Sequence, residues 1–207
     1  KGIKKGDRVC AYMPNCSETI ITMLATSALG AIFSSCSSDF GVEGVIDRFE
    51  QIEPKILVAT NGYLYNGKLI ERAEEIKAIS KRLTSLEHVL VVEYITSTKD
   101  IDGFTNFNIV FQSGPLEGYV LCDFNDPLYI VFSSGTTGKP KCIVHSIGGI
   151  LMQHAKEHLL HINLSERQKM FYFTTCGWMM WNWLVGSLFC RSSIILYEGS
   201  PFYPDPE

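Results

Sequence analysis

Short apolar runs recur along this chain, separated by stretches of helical periodicity, and that alternation narrows the fold more than any other feature. Arg8 to Met13 is the first run. Asn15 stands three residues before Glu18, the spacing of a capping box, and the helical pattern holds from Ser17 to Leu29 until Gly30 ends it. Ala31 to Ser34 reads as a strand. Gly41 to Ile52 reads as a helix with Val42, Val45, Ile46 and Phe49 on one face, and Pro54 closes it. Lys55 to Thr60 is the next strand, Leu69 to Leu83 a charged surface helix, and Val89 to Tyr94 a further strand. Strands apolar throughout, alternating with helices, predict an α/β fold: parallel sheets covered by helices on both faces.

Thr96 to Asn125 has no periodicity and reads as a long surface connection. Leu128 to Phe132 and Cys142 to His145 are again strand-like. Ser146 is placed to cap a helix over about Ile150 to Ile162. Met170 to Thr174 reads as strand, Trp181 to Leu188 as helix and Ile194 to Tyr197 as strand. The chain starts at Lys1 and stops at Glu207 in a proline-rich loop. The expectation is therefore part of one large domain over residues 1–207, cut from a longer polypeptide that owns the function.

Composition removes several function classes. A net charge of −4 argues against a nucleic-acid surface, which needs clustered Lys and Arg. No apolar run approaches the roughly 20 residues of a membrane span. The seven cysteines are odd in number and form no C-x-x-C pair, so neither a disulfide framework nor a zinc site is expected; reduced thiols in the cytosol fit better.

The segment Ser133-Ser134-Gly135-Thr136-Thr137-Gly138-Lys139-Pro140-Lys141 carries the chemistry. Its glycines let the backbone approach a ligand closely. Consecutive N–H groups can form a concave anion site, hydroxyls add neutral hydrogen bonds, and Lys139 and Lys141 add positive charge. Together these suit a polyphosphate. A Walker loop is excluded: only two residues separate Gly135 from Gly138, Pro140 follows Lys139, and the loop joins two strands.

That string resembles the phosphate-binding segment of the adenylate-forming superfamily of acyl-CoA synthetases, luciferases and peptide synthetases. The resemblance implies a large N-terminal AMP-binding domain, of which residues 1–207 are a part, without the C-terminal domain. It also implies two steps: a carboxylate attacks ATP to give an acyl-adenylate and pyrophosphate, and the thiol of coenzyme A then displaces AMP. Ser133, Ser134, Gly135, Thr136, Thr137, Gly138, Lys139 and Lys141 would hold the nucleotide, with Lys141 the catalytic charge. Mg2+ on the triphosphate follows from the chemistry; no residue cluster is assigned to it. Cys142 stands where many members have Gly.

A closer resemblance, to the acetoacetyl-CoA synthetases, covers nearly the whole chain. It lies in Asp39-Phe40-Gly41-Val42, Asp47-Arg48-Phe49, Tyr65-Asn66-Gly67-Lys68, the run from Gln153 to His158, and Tyr197-Glu198-Gly199-Ser200-Pro201. It is most specific in Thr174-Thr175-Cys176-Gly177-Trp178-Met179-Met180-Trp181-Asn182-Trp183. The resemblance implies that Trp178, Met179 and Met180 line the acyl pocket, that acetoacetate is the acid, and that the parent serves cytosolic lipid metabolism while the fragment alone is inactive. Bulk at those positions shortens the pocket, which also suits acetate or propionate. A non-catalytic nucleotide-binding module and a kinase-like phosphotransferase are the remaining alternatives.

His154, His158 and His161 share a helical face, but the spacing is not H-E-x-x-H, and a surface or partly buried histidine row is expected in place of a metal site. His145 closes the strand after the loop without Ser-His-Asp spacing. Trp183 and Leu184 read as core, and Glu71, Glu74, Glu75 and Lys77 as a solvated helix face.

Overall fold

The computed structural model describes residues 2–97, 101, 103–112, 114–133 and 138–205. In chain order its elements begin with β1 (Arg8–Met13), α1 (Ser17–Ala28), β2 (Ile32–Ser37), α2 (Val42–Phe49), β3 (Ile56–Thr60), β4 (Gly62–Tyr65), β5 (Lys68–Glu71), α3 (Ala73–Arg82) and β6 (His88–Val92). They continue with β7 (Thr105–Asn106), β8 (Pro127–Phe132), β9 (Cys142–Ser146), α4 (Ile147–Ala155), β10 (Lys169–Met170), α5 (Met179–Gly186) and β11 (Ser193–Ile194). A seven-stranded sheet runs in the order β7-β6-β3-β1-β2-β8-β9. Every neighbouring pair in it is parallel except β8 and β9.

Burial explains why the strands read as unbroken apolar runs. Val9, Ala11 and Met13 of β1 face one side of the sheet, where Met23 of α1 and Trp181 and Val185 of α5 cover them. Cys10 and Tyr12 face the other side, under Val45, Ile46 and Phe49 of α2 and Ile76 and Ile79 of α3. Each large apolar side chain taken out of water here contributes about 1.5–3 kcal/mol. β1 has β2 on one side and β3 on the other, so the chain reverses its direction of travel around β1. A doubly wound sheet opens a crevice at the carboxyl ends of its strands at such a point.

Several sequence expectations need correction. Asn15 does not cap α1: Cys16 holds the N-cap position, without a side-chain cap, and the Asn15 side chain is turned to distant partners described below. The helix expected from Leu69 begins only at Ala73, because Lys68–Glu71 pairs with Gly62–Tyr65 as an antiparallel hairpin. Its turn is Asn66-Gly67, with φ of 48° and 70°, the left-handed pair that a tight hairpin requires. The strands expected at Met170 to Thr174 and Ile194 to Tyr197 shrink to Lys169–Met170 and Ser193–Ile194. The long connection holds β7 and a 3-10 turn over Phe107–Gln112. The sheet is also not wholly parallel, since the loop between β8 and β9 returns the chain antiparallel.

Ser146 does cap α4, its Oγ accepting the Gly149 N–H at 3.3 Å. The helix starts at Ile147 and widens into a π-helical turn over Lys156–His161. His154 and His158 lie inside the seam between α4 and α5, not on the surface; His161 alone of the three is exposed. The two buried rings are 5.9 Å apart, and His158 Nε2 donates to the Trp183 carbonyl at 2.9 Å. His154 packs directly against Gly186, where a β-carbon would collide with its ring.

Two outcomes follow from this packing. Trp181→Phe removes the indole N–H that Asn15 Oδ1 accepts at 2.9 Å, and strands that oxygen in the core. Guanidinium unfolding should show a loss of about 1–3 kcal/mol, and an unchanged midpoint would refute it. Burial, and then the neighbouring His158, lowers the His154 imidazole from 6.5 to about 4. A histidine held neutral in the fold stabilises fully above its ordinary value, and that stability is lost as pH falls from 6.5 through about 4. The melting temperature should drop across that window, by the equivalent of at most about 3 kcal/mol from this group, and His154→Gln should flatten the drop.

Candidate functional site

The segment from Thr174 to Asn182 is laid across the carboxyl ends of β1 and β2. Cys176 Sγ donates to the Met13 carbonyl at 2.8 Å and to the Cys36 carbonyl at 3.5 Å. Ser35 Oγ donates to the Cys176 carbonyl at 2.5 Å. A β-carbon on Gly177 would stand 3.2 Å from the Ser37 nitrogen, so the close seating on β2 favours glycine there. Burial pushes the Cys176 thiol well above its ordinary value, which makes it a structural donor and not a nucleophile.

Asn15, at the carboxyl end of β1, joins this segment to a second one. Its Oδ1 accepts from Trp181 Nε1, its Nδ2 donates to the Tyr197 carbonyl at 3.3 Å, and its backbone N–H donates to Glu198 Oε2 at 2.9 Å. Between the two segments and the hairpin β4–β5 lies a cleft of about 410 Å³, lined among others by Ser38, Asp39, Tyr63, Tyr65, Thr175 and Glu198. It opens at the end of β2, beside the reversal point of the sheet. Burial raises the Glu198 carboxyl, and the Asn15 N–H works against that shift. Arg72 supports the hairpin wall, with Nε donating to the Ser38 carbonyl at 2.8 Å and a guanidinium nitrogen donating to the Tyr63 hydroxyl at 3.2 Å.

The lysine-bearing loop leaves the carboxyl end of β8, two strands from β1 on the same edge of the sheet. Its base is closed by the Ser133 N–H donating to the Lys141 carbonyl at 3.1 Å. Gln51, just beyond α2, steadies the returning limb: its amide donates to the Pro140 carbonyl at 2.8 Å and accepts from the Cys142 thiol at 3.6 Å. Gly138, Lys139 and Lys141 are exposed. Lys139 stands 3.5 Å from Glu50, and with both side chains more than half exposed the pair is weak enough to exchange for a stronger anion. Ser134, Gly135, Thr136 and Thr137 lie outside the described residues.

The residues expected at the acyl group fall at the start of α5. Trp178 is 62% exposed and stands clear of the core. Met179 and Met180 are half-buried, and Met179 packs against the core cluster. The Tyr129 hydroxyl of β8 donates to Met179 Sδ at 3.9 Å, so Met179 touches the strand that leads into the loop. From Tyr129 to Ser133 is four residues, about 13 Å along an extended chain. Leu184 is fully buried as expected, while Trp183 is half-buried against His158 and Tyr172. Among the described residues no group of three or more His, Cys, Asp or Glu side chains is placed to hold a metal.

Sequence reasoning missed Asn15, the Glu198 carboxylate and the tyrosines of the hairpin. The Asn-Gly pair after Tyr63 and Tyr65 was the available signal for the hairpin. No local signal joins Asn15 to Trp181, which lies 166 residues away.

A family model described as AMP-binding enzyme matches residues 1–207. Acetoacetyl-coenzyme A synthetase of Rhizobium meliloti (strain 1021) is 50% identical over 212 residues, covering 99% of this chain and 32% of that protein. Acetoacetyl-CoA synthetase of Mus musculus is 45% identical over 216 residues, with the same coverage of 99% and 32%. The solved structure of acetoacetyl-CoA synthetase from Streptomyces lividans superposes with a TM-score of 0.94 at 39% identity, over 99% of this chain and 31% of that one. The chain thus spans about a third of the length of the curated relatives it matches. With the match running through every residue, this chain belongs to the AMP-binding enzyme family.

Proposed function

We propose that the protein containing this chain is an ATP-dependent acid–thiol ligase that makes acetoacetyl-CoA from acetoacetate, ATP and coenzyme A. In this reading residues 1–207 are part of its N-terminal AMP-binding domain, and the reaction needs parts of the protein beyond them. The observation that carries the reading is the glycine- and hydroxyl-rich loop, with its two exposed lysines, leaving the carboxyl end of β8. The relatives' shared name supports acetoacetate as the acid.

In the first step an acetoacetate oxygen bonds to the α-phosphorus and pyrophosphate leaves with the bonding electrons. Ser133, Ser134, Gly135, Thr136, Thr137 and Gly138 offer N–H and hydroxyl donors to the β- and γ-phosphates. Lys139, released from Glu50, and Lys141 balance the charge that builds on the leaving group. Donors and cations set in place before the reaction lower its barrier without reorganising during it. In the second step the thiol of coenzyme A attacks the acyl carbon and AMP departs. Trp178, Met179 and Met180 border the acyl group. The cleft lined by Tyr63, Tyr65 and Glu198 adjoins Thr175 at the head of that segment, and so offers the thiol its approach. Mg2+ travels with the nucleotide in this reading, and no described side chain is assigned to it. The cytosol is the compartment we infer; among the described residues no helix is long and apolar enough to cross a membrane.

Neutralising both loop cations in the full-length protein, as Lys139→Met with Lys141→Met, should cut acetoacetate-dependent ATP–pyrophosphate exchange by about 100-fold or more. Exchange within twofold of the unaltered protein would overturn the assignment of the loop.

A further inference from the structure

Lys141, the second cation of the loop and its last residue before β9, is held at the backbone from two sides. On one side is the sheet. The β8–β9 ladder reaches the pair Phe132 and Cys142, and the Ser133 N–H donating to the Lys141 carbonyl at 3.1 Å adds one rung beyond it. This is the weaker hold. Among the described residues β9 is the last strand of the sheet, paired along one edge, and the end of such a strand opens most readily.

On the other side stands Gln51, in the 3-10 turn Glu50–Ile52 that continues α2. Its Nε2 donates to the Pro140 carbonyl at 2.8 Å, and its Oε1 accepts from the Cys142 thiol at 3.6 Å. It therefore grips the residues directly before and after Lys141. Nε2 also donates to the Asp47 carbonyl of α2 at 2.6 Å. Both N–H groups and the oxygen of one amide are thus engaged, which fixes the side chain although it is exposed. The Asp47 bond ties it back to a helix that Val45, Ile46 and Phe49, each at most 1% exposed, seat against the sheet.

The same turn makes a second contact, from Glu50 to Lys139 at 3.5 Å, but the two contacts differ in kind. The Glu50 pair has to open when Lys139 takes up a phosphate. Gln51 is uncharged and bonds a carbonyl and a thiol, so it competes with no anion and keeps its hold while both lysines work.

We propose that Gln51 is a positioning residue for the phosphate loop: from the end of α2 it holds the backbone on both flanks of Lys141, and so fixes the base of that cation while pyrophosphate leaves. The inference rests on the ligase reading above, in which Gln51 touches no substrate. Hydrogen bonds of an exposed amide add little to folding. A catalytic group displaced by roughly 1 Å can cost about 100-fold in rate. The effect of Gln51 is therefore on turnover.

The test is acetoacetate-dependent ATP–pyrophosphate exchange by the full-length protein in four forms: unaltered, Gln51→Met, Lys141→Met, and the two together. Gln51→Met keeps the length of the side chain and removes its hydrogen bonds. Alone, it should lower the exchange rate at saturating ATP about 10- to 30-fold and leave KM for acetoacetate within about threefold. Added to Lys141→Met it should cost less than about twofold, because the group it positions is already gone. A single variant within twofold of the unaltered protein, or an equal loss in both backgrounds, would overturn this inference alone. Gln51→Leu carries the same expectation and decides the matter if the methionine variant does not fold. If the unaltered protein shows no exchange, the ligase reading falls and takes this inference with it.

Discussion

Asn15 is the point on which the site depends. It sits at the carboxyl end of the central strand and spends every polar group of its side chain on chain that lies more than 160 residues away. With Cys176 and Ser35 it fixes the start of α5 against β1 and β2, so the segment proposed to border the acyl group is positioned by the sheet and not by its own loop. The indole of Trp181 completes the lock from above, stacked on Phe33 with centroids 6.0 Å apart. Groups held by a rigid sheet keep their geometry better than groups held by loops, and a reaction that depends on relative placement gains most from that.

The same edge of the sheet also delivers the loop. β8 pairs with β2, and Ser34 Oγ donates across that pair to the Ile130 carbonyl at 2.8 Å. The loop proposed to hold phosphate and the segment proposed to border the acyl group therefore start from adjacent strands. Gln51 reaches in from the opposite face of the sheet to hold the returning limb of the loop, so both faces contribute to one edge.

How much of this the sequence revealed depended on whether the signal was local. β1 and β3 were legible because every residue of β3, and all but the first of β1, is buried, so composition alone marks them. The loop was legible because its glycines, hydroxyls and lysines are contiguous. The hairpin was not: Leu69 to Leu83 carries helical spacing across a strand and a helix, and the Asn66-Gly67 turn was weighed only as a likeness. The helical spacing of His154 and His158 points only to a surface or partly buried row. The burial of His154 follows from the bare backbone of Gly186 on the facing helix, and His158 is held by the Trp183 carbonyl and ring, neither of which sequence spacing can reveal. Asn15 matched a capping pattern and was drawn instead to tertiary partners, since a buried indole N–H is costlier to leave unpaired than a helix end that water can reach.

The bond cleaved in ATP separates a ligase of this kind from every alternative. The most direct measurement is an inventory of nucleotide products after the full-length protein is incubated with ATP, acetoacetate and coenzyme A. AMP and pyrophosphate in amounts equal to the acetoacetyl-CoA formed is the result the account requires. ADP and inorganic phosphate, or bound ATP that is never cleaved, would contradict it.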